Sequence, residues 1–199
     1  MIRITIAIII GVLLGIFAPN EFVSTNIDNI INIGLCLLLF FIGVDIGKKE
    51  NVFSDIKSLS KKLLLLPLII TIASLLGGVV SAFILDISIG EGLAIASGMG
   101  WYSFSSIVLS KIDISIGSIA FMTNVFRELL AIFLIPIVSK KIGSLEAISL
   151  AGAPSMDSAL PVINKYNSSE NTIISFYSGF IITLVIPVLL PAIIAIFKL

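Results

Sequence analysis

The stretch IGSIAFMTNVFRELLAIFLIPIVS, residues 116–139, decides how the chain is read. At about 1.5 Å per residue, a helix over this stretch is about 36 Å long, enough to cross a bilayer, with Arg127 and Glu128 near its midpoint. An ionised side chain at that depth costs at least about 2.5 kcal/mol, so such residues face a protein or water-filled interior and pair with something there. The rest of the chain has to supply that enclosure.

Composition points the same way. Hydrophobic residues make up 58% of the chain and charged residues 12%, against about 45–50% and 25% in soluble domains, which makes this an integral membrane protein. The 199 residues are read as one all-α, polytopic membrane domain. Five full membrane helices are predicted, at about 2–18, 30–47, 63–85, 116–139 and 171–197. Basic and acidic residues balance at twelve each, leaving no basic excess to attract nucleic acid. Histidine is absent, which removes the usual metal ligand and general base; no metal or cofactor is expected, and any transported proton would ride on a carboxylate. The single cysteine, Cys36, sits in an apolar run and reads as a core thiol. Residues Ile16-Phe17-Ala18 lack a small-x-small cleavage pattern, so the N-terminal apolar run is read as a membrane helix rather than a signal peptide.

Lys48, Lys49, Lys57, Lys61 and Lys62 lie between the second and third predicted helices, whereas Pro19–Asn29 holds no Lys or Arg. The positive-inside bias then puts the lysine-rich loop and the N-terminus in the cytoplasm, with the protein in the cytoplasmic membrane.

Two stretches depart from this regular pattern, at about 92–110 and 146–163. The first contains Ser97-Gly98-Met99-Gly100-Trp101-Tyr102-Ser103, and the second Gly152-Ala153-Pro154-Ser155-Met156-Asp157. Small residues and Pro154 break a helix, and irregular backbone at membrane depth is tolerated where it lines a protein interior or a water cavity. Gly98 and Gly152 are 54 residues apart, with one crossing between them. If both stretches are re-entrant they enter from opposite faces, as in an inverted repeat around a midplane site; if both cross fully, Lys140 and Lys141 fall outside instead of inside. The sequence leaves both arrangements open.

Asn124 and Glu128 share a helix face, while Arg127 is turned roughly 100° from Glu128. Arg127 reads as structural, tying its helix to an acid such as Asp157 or Asp45; Glu128 reads as the group that binds a cation or proton. Ser155 and Asp157 are candidates for substrate, with Asp157 also a candidate for the coupling ion; the alternative is an ordinary helix N-cap. Asp45 is either a gate or a surface partner of Lys48 and Lys49. Trp101, Tyr102 and Ser103 wall a pocket, unless the aromatics belong to an interfacial belt. Gly98, Gly152 and Pro154 shape the breaks.

With these motifs in view, the chain resembles the lysine exporter family LysO. The resemblance is carried by Leu39-Phe40-Phe41-Ile42-Gly43-Val44-Asp45, by Ala96 to Ser103, by Arg127-Glu128-Leu129-Leu130-Ala131-Ile132 with Ile135-Pro136, and by Gly152 to Asp157 with Leu160-Pro161. Pro154 stands where the family commonly has a hydroxyl residue. Full-length members carry about three further membrane helices at the front, so the chain resembles their C-terminal two thirds. The resemblance implies a prokaryotic secondary transporter of L-lysine and analogues such as thialysine. It also implies either a separate small membrane protein supplying the missing helices or a homo-oligomer. Two readings compete with transport. An intramembrane protease would use Ser155 or paired acids, but a Ser–His dyad is impossible without histidine. A non-transporting assembly subunit is the other.

Overall fold

Helix boundaries follow from local chemistry in the computed structural model, which describes residues 63–199 and, ahead of them, helical backbone at Ile33, Leu37, Phe40 and Val44. Apart from those four positions, the helices expected at 2–18 and 30–47, together with Asp45, lie outside the described residues. A 3-10 turn at Leu63–Leu65 leads into α1 (Leu66–Leu85), whose first turn holds Pro67, where a missing N–H is harmless. Thr71 and Ser81 return their hydroxyls to the carbonyls four residues back, so neither presents an unsatisfied donor to an apolar surrounding. Asp86, at φ 55°, ends the helix.

Next, α2 (Ile89–Ala96) is started by a capping box: Ser88 accepts from the Glu91 N–H and Glu91 accepts from the Ser88 N–H. That box starts the broken segment three residues before the predicted Gly92. The chain then breaks at residues 97–101 and resumes as α3 (Tyr102–Ser110). The long helix α4 (Ile114–Lys141) is capped by Asp113, which accepts from the Ser115 and Ile116 amides. Lys140 and Lys141 occupy its last turn, where they complement the helix dipole. After it come α5 (Ser144–Ala151), a second break with a 3-10 turn at Ala153–Met156, α6 (Leu160–Tyr166), and α7 (Ser169–Phe197).

The seven α-helices of residues 63–199 belong to one unit, and no strand occurs among the described residues. Among the described residues three stretches are long and apolar enough to cross a membrane: Leu63–Leu85, Ile114–Lys141 and Glu170–Phe197. The all-α polytopic reading is thereby borne out.

Contacts at the helix ends fix the course of the chain. Gly90, at the start of α2, packs against Phe197 and Leu199 at the finish of α7, and Gly117, near the start of α4, packs against Ser110. The finish of α1, both ends of the α2–α3 segment, the start of α4 and the finish of α7 therefore share one end of the bundle. At the opposite end the Lys140 ammonium lies 5.7 Å from the Tyr166 ring, so α6 returns to the level at which α5 began. The Tyr177 hydroxyl donates to the Leu64 carbonyl at 3.2 Å, bringing the start of α1 alongside the early part of α7. Both broken segments are thus hairpins, inserted from opposite ends.

Helix order repeats across this arrangement. Ser144 lies 55 residues after Ile89, and Ser169 lies 55 after Ile114. The series α1-α2-α3-α4 recurs as α4-α5-α6-α7 with its direction reversed, and α4 belongs to both.

Candidate functional site

The hairpin tips meet. Ala153 donates its N–H to the Met99 carbonyl at 2.9 Å, and Pro154 packs on Gly100. Met99 and Gly100 have φ of 43° and 94°, and Gly152 has φ 69°. A side chain on Gly152 would be strained by that backbone and would run into the Met99 carbonyl. Gly98 is needed for a different reason: a Cβ there would stand 2.6 Å from the Asn124 amide nitrogen and 2.7 Å from the Ser105 hydroxyl.

Two residues of α4 hold the two tips. Asn124 is buried, and its Oδ1 accepts from the Gly100 N–H at 2.7 Å. Its Nδ2 donates to the carbonyls of Ala120 (2.9 Å) and Ile95 (3.2 Å) and approaches the Ser105 hydroxyl at 3.4 Å. One amide therefore satisfies the end of α2 and the turn after it. Arg127 serves the other hairpin: its Nε donates to the Leu150 carbonyl at the end of α5, and its Nη1 donates to Ser74 of α1 at 2.9 Å. The sequence reading of Arg127 as tied to Asp157 is corrected here, because its guanidinium bonds go to a serine and a helix-end carbonyl. Asp45, the other expected partner, lies outside the described residues.

Ser155 is buried and turned toward α7. Its hydroxyl lies 2.7 Å from the Gly152 carbonyl and 3.0 Å from that of Ser175, while the Ser175 hydroxyl donates to the Ser155 carbonyl at 2.7 Å. Gly179 permits this approach, since a Cβ there would stand 2.6 Å from the Ser155 hydroxyl. Neither Ser155 nor Asp157 caps α6, whose N-cap position is Ala159. Asp157 is exposed and accepts the Ser158 N–H.

Beside the tips lies a second cluster. Trp101 occupies the N-cap position of α3, at the depth of the break rather than at a bundle end, and stacks on Phe104 with ring centres 4.9 Å apart. Tyr102 meets Phe121 edge-on at 5.5 Å, and its hydroxyl is within electrostatic reach of the Glu128 and Asp157 carboxylates. Glu128, Tyr102 and Ser103 are half-buried. Two carboxylates that both act on one phenol form an environment that attracts a cation. Among the described residues, no three of His, Cys, Asp and Glu gather as a metal site.

Sequence reasoning missed Ser74, Ser175 and Gly179. Ser74 and Ser175 look like ordinary hydroxyl residues of apolar helices, and only the fold brings them to Arg127 and Ser155. The pairing of Gly78 with Gly92 was also missed, although the doublet Gly77-Gly78 signals a close approach of backbones.

Comparison with known proteins adds the family. The family model described as "Lysine exporter LysO" matches residues 5–194. A Haemophilus influenzae protein bearing the name "Putative lysine exporter" is 38% identical over 185 residues, covering 92% of this chain and 93% of that one. The Escherichia coli protein "Lysine exporter LysO" is also 38% identical, over 157 residues, with 78% of this chain and 52% of that protein covered. This chain thus spans nearly the whole of one relative and about half of the other. No solved structure matches it. A match over almost the full length, at motifs that build the hairpin tips and their α4 supports, means that the chain belongs to the lysine exporter LysO family.

Proposed function

We propose that this protein exports L-lysine, and analogues such as thialysine, across the cytoplasmic membrane in exchange for protons or another cation. The observation that carries the reading is the meeting of two opposed hairpin tips beside Tyr102, Glu128 and Asp157. Opposed hairpins let a central site be reached from either end in turn, and the nearby carboxylates suit an ammonium group. The names of the relatives support lysine as the substrate.

Direction follows from charge. A lysine monocation leaving a cell that is negative inside works against about 2.3 kcal/mol per 100 mV, so an uncoupled carrier would accumulate it inward. One inward cation per lysine cancels that electrical term. Glu128 and Asp157 are the groups that would hold lysine in one half-cycle and the coupling cation in the other. Lys140, Lys141 and Lys165 gather at the end where α1 begins, which supports a cytoplasmic placement of that end and of the N-terminus. The assembled transporter would be a homo-oligomer or a complex with a small membrane protein, a reading supported by the greater length of the E. coli relative.

The protease alternative loses ground because the Ser155 hydroxyl is engaged with two backbone carbonyls. The direct cellular test is expression in a strain lacking lysine export. Resistance to thialysine and lysine in the medium are the expected results; unchanged sensitivity, both alone and with a co-expressed small membrane protein supplying further helices, would remove the proposal.

A further inference from the structure

Between α1, α2 and α4 runs a groove of about 250 Å³, lined by Ser74, Gly77, Ser81, Thr123, Asn124 and Arg127 among others. It reaches from Leu85 and Ile87, where α1 finishes, to Arg127 and Ser74 halfway along the bundle. Its volume is somewhat below the range typical of drug-sized ligands and suits a single amino acid. Among the described residues no Asp or Glu lines it, and the one charge they bring to its wall is the Arg127 guanidinium. Of the five N–H donors on that group, the Nε bond to Leu150 and the Nη1 bond to Ser74 use two. Ser74 receives that bond on its oxygen, which leaves its own proton to donate. A cation at membrane depth, whose bonds to the described residues use two of its five donors and which has a hydroxyl beside it, suits an anion.

We propose that this groove is a carboxylate site in which Arg127 and Ser74 receive the α-carboxylate of the transported amino acid. The inference rests on the export reading and names the second pole of the same substrate. Tyr102, Glu128 and Asp157, which do not line the groove, remain the candidates for the ammonium end. Guanidinium and carboxylate match as a planar, two-bond pair, so the groove distinguishes an amino acid from a diamine that carries the same positive group. Arg127 then has two duties, holding the end of α5 and binding the ligand. Seating a carboxylate there would tie occupancy of the groove to the position of the second hairpin.

Gly77 provides a test that spares Arg127. It lines the groove, and a Cβ added there would meet nothing within 4 Å, so the side chain of Gly77→Leu starts in open space beside the groove. Binding of lysine, norleucine and cadaverine to the purified protein would be measured by calorimetry, alongside lysine flux in vesicles, for wild type and Gly77→Leu. The proposal predicts that cadaverine, which lacks the carboxylate, binds at least tenfold more weakly than lysine. It also predicts that Gly77→Leu stays folded while lysine affinity and flux fall at least tenfold. Cadaverine binding equal to lysine, unchanged flux in Gly77→Leu, or unfolding of that variant because another segment fills the groove would each overturn it. Norleucine binding that Gly77→Leu abolishes, without lysine flux in wild type, would keep the carboxylate site and remove the lysine reading instead.

Discussion

The Ala153 N–H and the Met99 carbonyl, 2.9 Å apart, join two hairpins that enter the bundle from opposite ends. The bond is possible because Gly152 turns the second hairpin with φ 69° and leaves no side chain over Met99. On the proposed export reading, access that alternates between the two ends would require the tips to part and close again at this junction.

Gly152→Val is therefore expected to abolish lysine flux. A β-branched residue in the left-handed region costs about 1–3 kcal/mol in strain and cannot avoid the Met99 carbonyl. Gly98→Leu should do the same by displacing Asn124 and Ser105. Flux together with the amount of protein in the membrane checks both; normal flux in either variant would remove that tip from the pathway.

Asn124→Leu is expected to destabilise the protein more than it alters substrate preference. It strands the Gly100 N–H and removes the donor to Ile95, and a buried unsatisfied group costs about 1–3 kcal/mol. Thermal unfolding in detergent should show a lower midpoint. An unchanged midpoint would mean that the first hairpin is held by other contacts.

How much of this was legible in the sequence depends on the scale of the interaction. The long helices follow from apolar length, and the breaks from Gly98, Gly100, Gly152 and Pro154, because those signals lie within a few residues. Arg127 and Asn124 were conspicuous as polar groups in an apolar run. Their partners were not, since Asn124 reaches back 29 residues to Ile95 and Arg127 reaches 53 to Ser74. A buried arginine suggests a carboxylate side chain, yet its bonds here go to one helix-end carbonyl and a serine. The helix-cap alternative for Ser155 fails for a similar reason: its position after a Pro break resembles a cap, but the close approach allowed by Gly179 draws it to α7.

Glu128→Gln separates charge from shape. The half-buried side chain keeps its size, so the protein should fold with an unfolding midpoint near that of wild type. Lysine flux should be largely lost if this carboxylate binds the transported cation as proposed. Equal losses of folding in Glu128→Gln and Arg127→Ala would make Glu128 a structural partner instead.

The most direct measurement is lysine efflux from vesicles containing the purified protein, with the small membrane protein added in a parallel set. Voltage is clamped and a gradient of protons or sodium is imposed in either direction. Efflux that accelerates when the coupling cation is driven inward, and slows when the gradient is reversed, is the predicted result. Lysine efflux no faster than from empty vesicles, or efflux indifferent to both gradients and to voltage, would contradict the account.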